Sequence, residues 1–275
     1  LFELLNIFTN NVDLTQYEEL EQYYVTAKSF EDLIEDSYYS YYFSRKGSLM
    51  VRIVNINLIK KLKEILDKNK VFVMMSGTLH SDKVLKNIFG ITDYIVIEAE
   101  TENYGTAKRK FTRLERNFRY KEFQEGKITR EDYLKALANC IKVAKKPVLV
   151  HVNSFIDLPT NEEIERYNLD GVMSMETLIE QQEKYRTGEL LQMFKDGKID
   201  ILYSTKCSRG VDFPGEMCRS IVFTKYPYPN TNSVFWTVLR LSKPEDFMDF
   251  YFDKAKRELL QRVYRGLRSK DDWVY

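Results

Sequence analysis

Residues 129–155 read TREDYLKALANCIKVAKKPVLVHVNSF, and this stretch is the strongest indication of the fold. Thr129 followed three positions later by Asp132 is a capping-box pattern, which predicts that a helix starts here. Apolar residues then recur at helical spacing, at Leu134, Leu137 and Ile141. Pro147 precedes the continuous apolar run 148–152, which is typical of a buried parallel strand. A helix that leads into a strand is therefore predicted.

The same alternation continues on both sides of this stretch. Toward the N terminus, the pattern predicts strands at 51–56, 71–75 and 94–98, with helices at 58–66 and from Ser81 to Gly90 between them. Toward the C terminus, it predicts a helix at 181–194, strands at 199–204 and 220–224, and a long helix at 244–268. This rhythm predicts the α/β class, with a doubly wound parallel sheet and helices on both faces. Functional groups in such folds lie at the carboxyl ends of the strands.

Residues 13–42 have a different character. They are acidic and tyrosine-rich, contain no glycine, and carry apolar residues at mixed helical spacing. We therefore predict an N-terminal helical segment. Its clustered tyrosines are interpreted as packing against a neighbouring domain, with stacking on nucleic-acid bases as the alternative; they are Tyr38, Tyr39, Tyr41 and Tyr42.

Charge and cysteine content limit the function classes. The 275 residues include 42 Lys and Arg against 41 Asp and Glu, so any nucleic-acid contact must come from a local patch. The three cysteines form no C-x-x-C pair, which argues against a zinc site or a complete four-thiolate iron–sulfur cluster. No apolar run is long enough for a membrane span. We therefore expect no membrane partner and a cytoplasmic protein, or a nuclear one in a eukaryote.

One local patch is the basic stretch at 106–121. Its cations are Lys108, Arg109, Lys110, Arg113, Arg116 and Arg119. Two interpretations remain open for it, a solvated surface and a surface that contacts phosphates.

Two short strings at the ends of predicted strands offer small polar groups. Ser76-Gly77-Thr78-Leu79 follows the run 71–75 and supplies two hydroxyls around a flexible glycine, although an ordinary strand-to-helix turn has the same composition. The second string runs from His151 to Phe155. Its Asn153 and Ser154 suit a phosphate and its Phe155 suits a base. For His151, a place in the core is preferred over metal binding.

The loop at 205–215 reads TKCSRGVDFPG and combines hydroxyls, a cation, two glycines and a carboxylate. Gly210 allows close backbone approach to a ligand. Lys206 and Ser208 can meet phosphate, and Asp212 can accept a hydrogen bond from a ribose hydroxyl or orient an arginine. An ordinary turn is the alternative.

The predicted helix 244–268 ends in the string QRVYRGLR, residues 261–268. Arg265 and Arg268 are three positions apart and are predicted to project from one helix face, with Gln261 one turn earlier. Two planar guanidinium groups in fixed register suit a γ-phosphate during its transfer. A salt-bridged, exposed helix is the alternative.

Taken in order, these strings resemble the motifs of the XPD and DinG family of superfamily 2 DNA helicases. The string at 75–79 resembles the family's S-G/A-T-L motif, and 148–155 resembles a strand that ends in Ser and an aromatic residue. The loop 206–215 is similar to K-F-S-E-G-V-D-L-P-G, and 226–230, YPYPN, to L-P-F/Y-P. Residues 261–272 resemble Q-x-x-G-R-x-x-R-S-x-x-D. The resemblance covers about residues 51–275.

The resemblance implies a RecA-like fold and a role for each string. The catalytic arginine fingers would be Arg265 and Arg268, with Gln261, Gly210 and Asp212 around the nucleotide. Single-stranded DNA would be contacted by Ser154, Phe155, Lys206 and Ser208, and the two motor lobes would be coupled through Ser76, Gly77 and Thr78. Family members use ATP and Mg²⁺ to translocate 5′ to 3′ on single-stranded DNA and open forked duplexes, here expected in DNA repair.

The resemblance also implies three regions. Residues 1–50 would be the helical end of an arch-like insertion, 51–95 the closing elements of motor lobe one, and 96–275 motor lobe two, ending before its last strand. The chain is thus expected to be a fragment that needs a missing N-terminal lobe and hydrolyses no ATP alone. An iron–sulfur cluster would belong to the missing part and not to this stretch.

Two positions depart from the family pattern. Arg209 stands where the family usually has Glu, and Tyr264 stands where it usually has Gly. These departures favour an alternative, a catalytically inactive helicase-like paralogue that still binds nucleic acid.

Overall fold

A computed structural model describes residues 3, 10–11, 18–44, 46–98, 105–205 and 210–275 of the chain. The chain folds into two compact units. The first comprises Leu1–Met75, His80–Tyr94 and Pro229–Asp253, and the second comprises Ser76–Leu79, Ile95–Tyr228 and Lys254–Tyr275.

The helices and strands of the described residues follow in this order. The N-terminal elements are α1 (Glu18–Lys28), β1 (Ser37–Phe43), β2 (Leu49–Asn55), α2 (Leu58–Leu66) and α3 (Asp82–Asn87). The middle ones are β3 (Thr106–Ala107), α4 (Tyr120–Gln124), α5 (Arg130–Val143), β4 (Val148–His151), α6 (Asn161–Tyr167), α7 (Met175–Lys184), α8 (Thr187–Lys195) and β5 (Ile201–Ser204). The last are β6 (Ser220–Phe223), α9 (Val234–Ser242), α10 (Pro244–Val263) and β7 (Trp273–Val274).

The first unit combines a β-hairpin with helices around an aromatic core. β1 and β2 pair antiparallel, with Ser37 opposite Asn55. The Ser81 hydroxyl accepts a hydrogen bond from the backbone N–H of Val84 and so caps α3, within the range where a helix was predicted. The core of this unit is formed by apolar side chains of α3 and the residue that follows it, and of α9 and α10, namely Val84, Ile88, Trp236, Leu239, Phe247 and Phe250.

The predicted N-terminal helical segment is only partly correct. Glu18–Lys28 is an α-helix, but Ser37–Phe43, which includes the clustered tyrosines, is a strand. Tyrosine favours strands, and each residue of β1 faces one of the mainly apolar β2 across the hairpin. Mixed apolar spacing did not reveal this pairing.

The strands predicted at 71–75 and 94–98 are wrong. Neither stretch is in a strand, and Met75 and Ile97 are 91% and 89% exposed. An apolar run forms a parallel strand only when at least one neighbouring strand pairs with it and completes its hydrogen bonds. The part of the chain that the structure describes provides no such neighbours for these runs.

The second unit is built on parallel strands. β4 lies between β5 and β6, with Val148 opposite both Ile201 and Ser220. β3 and β7 form a separate parallel pair, and the backbone N–H of Ile221 in β6 donates to the carbonyl of Tyr275, just after β7. The parallel arrangement predicted from the alternating pattern is confirmed in this unit, whereas the strand predicted at 51–56 lies in the antiparallel hairpin of the first unit.

Side chains of β4 alternate between two cores, as a central strand requires. Val148 and Val150 pack with residues of α5 and α7, whereas Leu149 packs with Leu190 and Phe194 of α8. Helices therefore cover both faces of the sheet, which confirms the α/β fold class.

One predicted helix of this unit is divided. The sequence predicted a helix at 181–194, but α7 ends at Lys184 and α8 begins at Thr187. The Glu189 carboxylate accepts a hydrogen bond of 2.9 Å from the backbone N–H of Arg186, which starts the second helix as a capping box does.

The capping box of α5 gives a stability prediction. The Thr129 hydroxyl accepts from the N–H of Asp132, and the Asp132 carboxylate accepts from the N–H of Thr129. Thr129→Ala should lower the free energy of unfolding by about 1 kcal/mol, whereas Thr129→Ser keeps the oxygen and should lower it much less. Urea denaturation would measure both, and equal losses for the two variants would contradict the capping role.

Candidate nucleotide and nucleic-acid site

The candidate site lies at the carboxyl ends of β4, β5 and β6. These ends share one edge of the sheet because the three strands are parallel. The segment Asn153–Phe155 follows β4, the loop 205–215 follows β5, and Thr224 and Lys225 follow β6. Lys206 and Ser208, predicted to contact DNA, lie outside the described residues, as does Arg209.

A buried carboxylate shapes the turn after β4. Asp157 is fully buried, and its Oδ2 accepts hydrogen bonds of 3.1 Å from both the Ser154 N–H and the Thr224 hydroxyl. Lys225 forms an ion pair with the same carboxylate. The resulting 3-10 turn, Phe155–Asp157, leaves Ser154 exposed, while Phe155 packs partly against the core under α5.

Asn153 links this turn to α10. Its Oδ1 accepts a hydrogen bond of 3.1 Å from Nη1 of Arg262, and its backbone N–H donates to the Thr224 hydroxyl at 3.2 Å. Glu258, one helical turn before Arg262, pairs with the Nε of that arginine at 3.0 Å. The ends of β4 and β6 are therefore joined to α10 by directed hydrogen bonds.

The predicted position of the two arginines on one helix is wrong. The helix ends at Val263, Arg265 lies in the 3-10 turn Tyr264–Gly266, and Arg268 lies beyond it. The chain leaves the helix because the Asp272 carboxylate accepts from the backbone N–H groups of Arg268 and Ser269, at 2.7 and 2.8 Å.

Asp272 also joins this turn to the loop after β5. Its Oδ1 accepts from the backbone N–H of Gly215 at 2.9 Å. Burial alone would raise the pKa of Asp272, but the N–H groups of Arg268, Ser269 and Gly215 hold that pKa below its usual value. A charged Asp272 therefore fixes the backbone on both sides of the site.

The structure brings both predicted arginines to the loop after β5. The backbone N–H of Phe213 donates to the Arg265 carbonyl at 2.8 Å, the Arg265 guanidinium donates to the Val211 carbonyl, and Arg268 forms an ion pair with Asp212. The two settings differ, since Arg265 is only 6% exposed and the Arg268 side chain is 45% exposed. Arg265 is thus a buried residue that bonds to the loop, whereas Arg268 can reach a ligand.

Gly210, predicted to allow a close approach, is the first residue of this loop described after positions 206–209. It is exposed and has a φ of +73°, a left-handed conformation that favours glycine. An alanine here would be strained whatever the surrounding space.

Ser76 and Thr78 are held against the second half of α10. Gln261 donates to the Thr78 hydroxyl at 2.9 Å, and the Nε of Arg257 donates to the Thr78 carbonyl at 2.8 Å. The Ser76 hydroxyl closes the turn by accepting from the Thr78 N–H at 3.1 Å. Arg257 and Gln261 are four positions apart and therefore share a helix face. Gln261, predicted to lie around the nucleotide, thus binds the predicted coupling string.

His151, at the end of β4, is buried, which confirms its interpretation as a core residue. It is 2% exposed and stacks on Phe223 with ring centroids 5.1 Å apart. Its Nε2 has no hydrogen-bond partner within the described part of the chain. Burial, and then the positive charges of Arg262 and Arg265, lower the pKa of His151 to about 3.

Sequence reasoning missed several residues of the site. Asp157 carried a usable signal, because Ser154 followed three positions later by an acidic residue is a capping-box pattern. Arg257 carried a weaker one, its position one helical turn before Gln261. No local signal pointed to the bond between Arg262 and Asn153, which are 109 positions apart.

Metal-binding clusters and helices able to cross a membrane are both absent from the described residues. Within them, no group of three or more His, Cys, Asp or Glu side chains is placed to hold a metal ion. No helix in the same ranges is both long enough and apolar enough to cross a membrane.

Comparison with known families identifies the domain that carries this site. The model of a family described as helicase C-terminal domain matches residues 137–275. The chain belongs to this helicase C-terminal domain family. The matched range begins within α5 and contains every site residue except Ser76, Gly77 and Thr78. The chain therefore carries a helicase-like motor lobe. None of the curated proteins compared with the chain matches it.

Proposed function

We propose that this chain supplies the arginine-bearing motor lobe of an ATP-dependent 5′ to 3′ DNA helicase of superfamily 2, resembling XPD and DinG and acting in DNA repair. The observation that carries the proposal is the meeting of the last motif with the loop after β5. Val211, Asp212 and Phe213 contact Arg265 and Arg268, more than fifty positions away. Motifs that resemble those of one family are thus brought to one edge of one sheet.

The chemistry of these residues suits a nucleotide. Arg268 presents a half-exposed guanidinium, which can exchange its bond to Asp212 for the charge on a phosphate. Asp212 would then be available to accept from a ribose hydroxyl. Arg265 would act by holding the loop through the Val211 carbonyl. ATP bound with Mg²⁺ supplies the phosphoryl group, and we propose that residues outside this chain hold the metal and any iron–sulfur cluster.

The turn after β4 suits a nucleic-acid backbone. Ser154 exposes a hydroxyl and its turn is fixed by Asp157, so a phosphate contact there would require little reorganisation. We propose that Ser154, together with Lys206 and Ser208 of the next loop, contacts single-stranded DNA, and that Phe155 supports this surface from its partly buried position.

Two sets of hydrogen bonds support a proposed coupling between the nucleotide and the DNA. Arg262 bonds to Asn153, which directly precedes Ser154, and Gln261 bonds to Thr78. Both donors lie on α10, within one turn of Arg265. A shift of this helix segment on ATP binding would therefore act on both the DNA-contacting turn and the string 76–78, which is proposed to couple the motor lobes.

One observation favours the alternative, a catalytically inactive paralogue that binds nucleic acid. Tyr264, where related motifs have Gly, lies in the 3-10 turn directly after α10, and both arginines that follow it are bonded within the chain. In the paralogue these bonds would persist and Arg268 would never engage a nucleotide.

A strand-displacement assay tests the proposed function. The full-length protein with ATP should unwind a duplex that carries a 5′ single-stranded tail and leave a duplex with a 3′ tail intact. Arg268→Ala should unwind neither while still binding the tail. If the parent protein binds the tail and does not unwind the duplex, the result favours the inactive paralogue. Unwinding of the 3′-tailed duplex alone would contradict the 5′ to 3′ direction that the family resemblance implies.

A further inference from the structure

The segment 108–119, KRKFTRLERNFR, is called the basic loop here and is used by none of the motifs above. It carries six cations and one carboxylate in twelve residues, in a chain whose net charge is only +1. The remaining residues are therefore net negative, and the positive charge is concentrated in this loop. All six cations are exposed: Lys108, Arg109, Lys110, Arg113, Arg116 and Arg119.

None of these six cations forms an ion pair with a carboxylate of the described ranges. The cations that follow directly in sequence behave differently, since Lys121, Lys127, Arg130 and Lys135 each pair with a glutamate. The one carboxylate of the loop, Glu115, accepts a backbone bond from Thr112 at 2.6 Å. The loop thus holds positive charge that no ion pair within the described ranges neutralises.

The basic loop has a fixed course along α5. Lys110 Nζ donates to the carbonyl of Val143 at 3.1 Å, and the ring of Phe118 packs edge-on against Tyr133 at 5.5 Å. Val143 and Tyr133 are ten residues apart on this helix, so the loop runs about 15 Å along it. Its path is antiparallel to α5.

The end of this path approaches the candidate site. The Tyr133 hydroxyl donates to the carbonyl of Thr224 at 3.1 Å, and the side chain of Thr224 bonds to the backbone of Asn153. The second half of the basic loop therefore lies at the end of α5 that reaches the Ser154 turn.

Two exposed aromatic rings accompany the charges. Phe111 is 73% exposed and Tyr120, directly after the loop, is 79% exposed. Cations that meet phosphates, interleaved with rings on which unpaired bases stack, are the combination used for single strands. A duplex offers phosphates but no free base faces.

We propose that the basic loop binds the phosphates of single-stranded nucleic acid and leads the strand along α5 toward Ser154, with Phe111 stacking on a base. This inference rests on the proposed function, since it assumes that Ser154 contacts the same strand. It assigns to the loop a phosphate-binding surface that lies outside the helicase-like motifs.

The salt dependence of binding tests the proposal. Binding of a labelled thymidine 20-mer by the full-length protein would be followed by fluorescence anisotropy over a NaCl series. The triple variant Arg109→Gln, Arg113→Asn, Arg116→Gln should flatten the plot of log affinity against log salt by about 2, since each phosphate contact to a single strand contributes about 0.7. At about 0.1 M salt its affinity should fall roughly 10- to 100-fold. Asn is chosen at position 113 because Arg113 has a φ of +70°, which asparagine tolerates.

A matched control removes the same charge elsewhere. Lys142→Gln, Lys146→Gln, Lys198→Gln deletes three exposed lysines that already pair with Asp170, Asp200 and Asp196. Its slope should equal that of the parent. Equal flattening in both triple variants would show a net-charge effect and overturn the proposal.

A second variant tests the choice of a single strand. Phe111→Ala should weaken single-strand binding by about 5-fold or more and leave binding of a 20-base-pair duplex unchanged, because stacking needs an unpaired base. Equal weakening for both ligands would overturn the single-strand assignment.

If the parent and the triple variant bind the 20-mer with the same salt dependence, the proposal for the basic loop is refuted and the proposed function is not. The loop would then bind another ligand, for example an acidic protein. No binding by the parent would refute the proposed function as well.

Discussion

Arg268→Ala is expected to lower DNA-stimulated ATP hydrolysis by the full-length protein about 10³-fold or more. A guanidinium that stabilises the charge of a transferring phosphoryl group contributes on this order to kcat. Arg268 is the better candidate of the two motif arginines because its side chain is 45% exposed and its partner Asp212 is itself half exposed. Steady-state ATPase assays with saturating single-stranded DNA would measure the change.

Three further variants separate this role from others. Arg268→Lys keeps the charge without the planar fork and should recover part of the activity at most. Arg166→Ala removes an exposed arginine of α6 and should leave the rate unchanged. Arg265→Ala should lower the thermal midpoint as well as activity, since Arg265 is buried and bonded to the Val211 carbonyl. Parent-level ATPase in folded Arg268→Ala would remove Arg268 from the mechanism.

The second large effect is expected in the pH dependence of stability, through His151. The pKa of this buried imidazole is lowered to about 3 in the folded protein, below the ordinary value near 6.5 that applies on unfolding. Between these values the unfolded state binds a proton that the folded state does not. The contribution of His151 to stability is therefore complete above about pH 6.5 and is lost progressively as the pH falls toward 3.

His151→Phe removes the titrating group and keeps a ring that can stack on Phe223. From pH 6.5 to pH 4, the parent should lose about 3 kcal/mol more unfolding free energy than this variant. Urea denaturation at several pH values would give the two curves. All other titrating groups are shared, so their difference isolates His151. Parallel curves would show that His151 is protonated in the folded state or sits outside the cooperative core.

The parts of the fold predicted correctly are those encoded locally. Thr129 and Asp132 form both bonds of the predicted capping box, and the run after Pro147 forms the central strand. The runs at 71–75 and 94–98 show the limit of this reasoning. The apolar residues of these runs favour burial, but a strand forms only where a neighbouring strand completes its hydrogen bonds.

The site shows the same division between local and distant information. The residue types were predictable, since Arg265, Arg268 and Asp212 stand out in the sequence and the structure brings them together. Their geometry was not, because α10 ends at Val263 through contacts with Asp272 and Phe213. The bond from Arg257 to Thr78 spans 179 positions and has no local signature. Roles for these residues in catalysis and DNA binding remain predictions.

ATP hydrolysis by the full-length protein, with and without single-stranded DNA, decides whether this lobe works as part of a motor. We predict turnover that single-stranded DNA stimulates and that Arg268→Ala abolishes without loss of DNA binding. A folded protein that binds single-stranded DNA and hydrolyses no ATP in its presence would contradict the motor assignment, and Tyr264→Gly would then be the first change to make.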